Sequence, residues 1–257
     1  MPPINLDIRT LSFISTSIAI IFAFGLFSFG NSQKGFKGFL LLAFAAALFA
    51  VGPFLIGYRD ILPDFITIVL GNVMEIVGIV LFYEGACRFL ERSDRIHPIS
   101  IITVLAGIAL FIYFTYSSPS VSSRIISYTA IHAIIGFLCA RELVRDLHDS
   151  WRLPGLSTAF VFAVYGLYQL FRLGWTLNEN PIMSLMSAGN IHALSFIANI
   201  FLIAGSTFGF VWMVNSRLVY SLTELATHDP LTNALNRRGL EIFVAREFAE
   251  LKRSMTD

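Results

Sequence analysis

Ile191-His192-Ala193-Leu194-Ser195-Phe196-Ile197-Ala198-Asn199-Ile200-Phe201-Leu202-Ile203-Ala204-Gly205-Ser206-Thr207-Phe208-Gly209-Phe210-Val211-Trp212 contains no Asp, Glu, Lys or Arg. As a helix rising 1.5 Å per residue, it is long enough to cross a hydrocarbon core of about 30 Å. Trp212 closes it, as suits an interfacial anchor. Six further apolar runs precede it: Leu11 to Gly30, Phe39 to Tyr58, Phe65 to Phe82, Ile99 to Tyr116, Ile125 to Ala140 and Gly155 to Leu173. Of 257 residues, 56% are hydrophobic and 14% charged, against roughly a quarter charged in an ordinary soluble domain. The expected fold is therefore an all-α integral membrane protein, a seven-transmembrane helix bundle over residues 1-212. Gly35, Gly38, Pro63, Pro98 and Pro119 mark tight connections. The longest connection, Gly174 to Asn190, suits a lid or a short surface helix and is too short for a folded module. The first apolar run is a full span without a small-residue cleavage site, so no cleavable leader is expected.

Beyond Trp212 the last helix is expected to continue. Val211, Asn215, Leu218, Leu222 and Leu225 follow one another at spacings of four, three, four and three. That is a short heptad seam with a polar residue at one core position, a device that fixes register. It predicts a parallel, homodimeric coiled-coil linker over 213-228; the other reading is the amphipathic end of a membrane helix. Next comes His228-Asp229-Pro230-Leu231-Thr232-Asn233-Ala234-Leu235-Asn236-Arg237-Arg238-Gly239. Asp229 is suited to cap a turn, and Pro230 sits where a missing N–H costs nothing. Asn236 is a second cap, before a helix with Leu240, Phe243, Val244, Phe248 and Leu251 on one face.

This stretch resembles the opening of the GGDEF domain of diguanylate cyclases, an Asp-x-Leu-Thr-Gly-x-x-Asn-Arg-Arg pattern behind a signalling helix. Asp229, Leu231, Thr232, Asn236, Arg237 and Arg238 match, and Asn233 stands in place of the glycine, a residue that also tolerates a left-handed backbone. The resemblance covers residues 229-257 and implies the start of such a domain. The family's metal-binding aspartates, GTP-binding loop and Gly-Gly-Asp-Glu-Phe signature come later than Asp257, so no catalytic residue is expected here. By resemblance, the complete protein joins two GTP into cyclic di-GMP with Mg²⁺ across two facing domains, in a bacterial cytoplasmic membrane. The sensor portion resembles no family by its own residues. A catalytically inactive GGDEF-type receptor or interaction protein, and a lipid-handling or transport protein with a regulatory tail, stand as alternatives; paired catalytic carboxylates and broken helices, which the latter would need, are absent from the sequence.

Charge placement sets the expected orientation. Lys34, Lys37, Arg88, Arg92, Arg95, Arg141, Arg145, Arg152 and Arg217 fall on one side of the bundle, and only Arg9, Arg59, Arg124 and Arg172 on the other. The richer side belongs in the cytoplasm, which puts the N-terminus outside and the C-terminus inside. A GGDEF domain needs cytosolic GTP, in agreement. Cys87 and Cys139 then lie at cytoplasmic ends and are expected as inert thiols. A net charge of +1 makes no case for nucleic acid.

Polar groups inside apolar runs cost a few kcal/mol and need a partner or a purpose. Glu75 and Asn72 lie in the third run, and His132 at comparable depth in the fifth; Glu75 and His132 are expected to meet. Tyr165, Tyr168, Gln169 and Arg172 form a stripe on the sixth, and His192, Ser195 and Asn199 one on the seventh. Facing stripes would outline a cavity toward the outer leaflet with Arg172 near its mouth, suited to an amphipathic or lipid-like small molecule with a polar or anionic head. Interhelical hydrogen bonding and a snorkelling belt against membrane lipids are the structural readings of the same residues. His132 and His192 sit at different depths without a spaced His or Cys pair, which argues against a metal or haem. Glu84 and Arg88, one turn apart, are expected to pair, and His148 to be solvated.

Overall fold

The structure is a computed structural model and describes residues 6–33, 35–145, 147–227, 234–241 and 244. Among the described residues seven helices are long and apolar enough to cross a membrane: α1 (Ile8–Ser32), α2 (Phe39–Gly57), α3 (Phe65–Phe89), α4 (Pro98–Ser117), α5 (Val121–Val144), α6 (Arg152–Asn178) and α7 (Asn190–Thr227). This is the architecture of a multi-pass membrane protein. The end at which α1 begins is termed upper, and the end from which α7 emerges lower.

Local chemistry starts the helices where they start. The Asp7 carboxylate accepts from the Thr10 amide at 2.8 Å, and the Ser120 hydroxyl from the Ser123 amide at 3.1 Å, each satisfying a donor that the first turn leaves free. Pro98 opens α4, where no N–H is required. Gly38 precedes α2 with φ of 83°, a conformation that favours glycine. A Cβ there would also meet the Phe89 amide of α3 at 2.9 Å.

Helices adjacent in sequence pack side by side, and α7 closes the bundle by lying against both α6 and α1. The α4 helix is peripheral, resting on α3 and α5. Phe39, Phe49, Phe82, Phe89, Phe162 and Phe210 fill the centre, with edge-on ring pairs such as Phe82–Phe162 at 5.9 Å and Phe89–Phe210 at 5.5 Å. Lipid tails are as apolar as these rings, so the interior is held by close packing and hydrogen bonds more than by exclusion from water. Ile21, Phe24, Leu105, Phe160 and Phe208 point outward, toward the hydrocarbon.

Several helices outrun their apolar runs. The third extends to Phe89, the fifth covers Val121–Val144 and the sixth continues to Asn178, which shortens the connection before α7. The predicted Glu84–Arg88 pair is not formed: Glu84 instead accepts from the His97 amide at 2.9 Å and the Ser100 hydroxyl at 2.5 Å. Burial explains the change, because Glu84 points into the α3–α4 contact, where Ser100 is equally buried. His148 is exposed, yet it stacks on Trp151 at 4.7 Å.

α7 runs without a break for 38 residues, about 57 Å at 1.5 Å per residue, so about half of it stands clear of a 30 Å hydrocarbon core. Along the protruding part Asn215, Leu218, Leu222 and Leu225 are exposed, while Val211 is half-buried. After it, Asp229, Leu231 and Thr232 lie outside the described residues. Asn236 is described: its side-chain oxygen accepts from the Gly239 amide at 2.9 Å, capping the turn that holds Arg237 and Arg238. Its own amide groups reach the Thr227 and Ala226 carbonyls at 2.9 and 3.0 Å, fastening that turn to the end of α7.

Candidate functional site in the upper half of the bundle

α3 enters the bundle through a widened, π-wound segment, Phe65–Leu70, and α4 ends in another, Tyr113–Ser117. Both lie at the upper end. Such turns displace side chains from ordinary helical register and recur at functional sites. Asn72 donates to the Ile68 carbonyl at 2.7 Å, tying itself to the first of them. One turn further on, Glu75 is 2% exposed and faces α2 at Gly52. A Cβ at Gly52 would lie 2.5 Å from the Glu75 Cγ and 2.9 Å from the Gly71 carbonyl oxygen, so only glycine leaves room for the carboxyl group.

Glu75 Oε2 accepts from the Tyr128 hydroxyl and from Asn199 Nδ2, the latter at 3.0 Å. Asn199 Oδ1 in turn accepts from the Tyr165 hydroxyl at 3.1 Å. One carboxyl group thereby joins α3, α5 and α7, and through Asn199 also α6. In the low dielectric of the interior, losing any member leaves its neighbours unpaired, which is costly.

His132 does not bond to the Glu75 carboxyl group, contrary to expectation. Its Nδ1 lies 2.9 Å from the Tyr128 carbonyl, its ring stacks on Tyr128 at 3.8 Å, and its Nε2 has no partner among the described residues. Tyr128, one turn earlier on the same face, takes the carboxylate, because a hydroxyl at the end of a long ring reaches across to α3.

The stripes of α6 and α7 face each other. Besides Tyr165 to Asn199, the Tyr168 hydroxyl donates to the Ile191 carbonyl at 2.6 Å, and Arg172 Nε lies 3.4 Å from His192 Nδ1. His192 Nε2 is 2.8 Å from the Glu179 carboxylate, and Ser195 bonds to the His192 carbonyl at 2.6 Å. Gln169 is fully buried, with neither amide atom partnered among the described residues.

Asn72, Glu75, Arg172, Ser195 and Asn199 line a cavity of about 40 Å³. His132, Tyr165, Tyr168, Gln169 and His192 are not part of its lining. Arg59, Arg124 and Tyr128 line it too and were missed in the sequence. In the sequence the two arginines bear only on orientation, and a tyrosine in an apolar run carries no signal of its own; the spacing of Tyr128 one turn from His132 is the one hint it offers. Since a single water needs about 10–15 Å³ by this measure, the cavity holds a few waters or one small polar group.

Among the described residues no cluster of three or more His, Cys, Asp or Glu is placed to hold a metal ion. Cys87 and Cys139 are free and buried. Comparison with known protein families, with characterised proteins and with solved structures finds no match. The fold and site thus define a class, a seven-helix membrane protein with a polar centre buried in its upper half.

Proposed function

We propose that the chain is the membrane sensor of a diguanylate cyclase, in which the state of the upper polar centre is carried by α7 to a GGDEF domain that begins at residue 229. The observation that supports this is a single continuous helix. Asn199, bonded to Glu75 and Tyr165, and the exposed seam residues Asn215, Leu218, Leu222 and Leu225 belong to the same unbroken α7. A small rotation or shift that exchanges the partners of Asn199 would be transmitted rigidly to the lower end, because a helix without a kink moves as a rod. In this reading the upper end faces outward and receives the signal. Two copies pair through the seam, and the catalytic residues that hold GTP and Mg²⁺ belong to the GGDEF domain and not to residues 1–257.

A chimera tests the proposal: residues 1–239 joined to the catalytic remainder of an active GGDEF domain, with cellular cyclic di-GMP as the readout at matched membrane abundance. Glu75→Gln and Asn199→Ala are expected to change output severalfold, and Leu222→Glu to abolish it by separating the stalk. Output that is the same for all three variants and the parent would refute the reading.

A further inference from the structure

Three cations converge on the cavity from separate elements. Arg59 comes from the turn after α2, Arg124 from the first turn of α5 and Arg172 from the upper part of α6. Arg59 and Arg172 are 6% and 5% exposed. Among the described residues no carboxylate lies within salt-bridge distance of any of the three. Asp60 and Asp64 act on Arg59, Asp64 on Arg124 and Glu75 on Arg172 only from further away.

Their donors are also unsaturated. A guanidinium carries five N–H groups. Arg59 uses one at 3.4 Å, to the Thr67 carbonyl, and its Nε has no partner among the described residues. Among the described residues Arg172 hydrogen-bonds to His192 alone, also at 3.4 Å, and lies over the Tyr128 ring at 5.7 Å. The inward aim of Arg59 is built into the backbone. Asp60 takes a left-handed conformation, φ 70°, uncommon outside glycine, and Arg9 donates to the Arg59 carbonyl at 3.0 Å. Burial, and then the neighbouring Arg124, push the Arg59 guanidinium down to about 10, which leaves it charged at neutral pH.

Three like charges around one cavity, with the single Glu75 carboxyl group in its lining already taken by Tyr128 and Asn199, repel one another and lose hydration, an arrangement that an anion between them would relieve. The rest of the wall is mixed: Asn72, Glu75, Tyr128, Ser195 and Asn199 on one part, and the apolar Ile56, Phe111, Ile125, Phe196 and, from the α6–α7 connection, Leu185 on the other. That connection is held over the site by the Ile182 amide on the Ser122 hydroxyl at 3.2 Å. With about 40 Å³ available, the space suits a head group rather than a whole lipid.

We infer that the cavity binds the carboxylate head of an amphipathic organic acid, gripped by Arg59, Arg124 and Arg172, with the first carbon next to the head against Ile125, Leu185 and Phe196. The planar fork of a guanidinium matches a carboxylate with two parallel hydrogen bonds. The inference rests on the sensor reading only for the role of the ligand as a signal; binding itself is measurable without any cyclase output, so the two ideas fail separately.

The test uses the full chain in zwitterionic nanodiscs, with thermal unfolding and titration calorimetry against decanoate, butyrate, decanol and inorganic phosphate. Decanoate is expected to bind and raise the Tm, whereas decanol and phosphate do not. Arg59→Gln and Arg124→Gln are each expected to weaken binding at least tenfold, with Arg59→Lys retaining part of it. Butyrate binding as tightly as decanoate would identify a dissolved acid as the source, and tighter binding with chain length an acid drawn from the leaflet; both support the site. Absence of decanoate binding, equal binding of decanol, tighter binding of phosphate, or unchanged affinity in the folded arginine variants would each overturn it. Should an arginine variant unfold, Leu185→Trp, which fills the cavity from the connection, is expected to block decanoate while leaving the arginines in place.

Discussion

At the lower end of the bundle two cations meet carboxylates; at the upper end, among the described residues, Arg59, Arg124 and Arg172 do not. Arg92 meets Glu142 at 3.4 Å, Lys37 meets Asp94 at 3.0 Å, and the buried Glu84 accepts from His97 and Ser100. Arg217 lies over the Phe89 and Trp151 rings, at 4.5 and 4.6 Å, and donates to the Phe89 carbonyl at 3.2 Å. These contacts fasten helix ends to one another. Above, Arg59, Arg124 and Arg172 surround a cavity next to the Glu75 network. An unpaired charge in an apolar interior is expensive and is retained where it has a use. In the proposed reading the contrast separates a structural polar cluster from a ligand-binding one, although both consist of the same residue types.

The contrast yields a graded set of predictions. Glu75→Leu leaves the Tyr128 hydroxyl and the Asn199 amide unpaired in the core, and a loss of about 2–4 kcal/mol is expected. Thermal unfolding in nanodiscs reads it, and Glu75→Gln, which keeps an acceptor, should cost less than half as much. Gly52→Val drives a side chain into the Glu75 carboxyl and the Gly71 carbonyl and should cost about 1–3 kcal/mol by overpacking. A Tm equal to that of the parent would mean that α2 and α3 are further apart than described. At the lower end Ser100→Ala removes one of the donors to Glu84 and should cost about 1 kcal/mol; a larger loss than in Glu75→Leu would reverse the ranking of the two ends. Lys37→Ala breaks only an exposed pair, and an effect below about 0.5 kcal/mol is expected.

The smallest effect is local and depends on pH. The Thr10 hydroxyl and amide hold the Asp7 carboxyl below its usual value. A folded-state value below the unfolded one means that the cap contributes fully above the ordinary carboxylate range and is lost as pH falls through the lowered value. Hydrogen exchange in the first turn of α1 should accelerate on acidification below about pH 3.9, and Asp7→Asn should remove that dependence.

Much of this molecule is legible along one dimension. A helix that crosses lipid needs a long apolar run, so the length of each run announced each of the seven spans, and the caps at Ser120, Pro98 and Asn236 are local patterns. Helix ends were less legible, because Glu84, Arg88 and Arg141 remain helical beyond the hydrocarbon and blur the edge of the apolar run. Within the site, Glu75, Arg172 and Asn199 were visible as polar anomalies. Arg59 and Arg124 were not, since an arginine at a helix end is ordinary.

By itself, the sequence determined that the chain enters a membrane, how many helices are long enough to cross it, and which buried polar residues require an explanation. Only the tertiary structure decided that Tyr128 rather than His132 takes the Glu75 carboxylate, that Glu84 turns to Ser100 instead of Arg88, and that three arginines from distant segments share one cavity. The physical reason is that hydropathy is a property of each residue along the chain. Pairing depends on the rotation and depth of neighbouring helices, and these are set by close packing at positions such as Gly38 and Gly52.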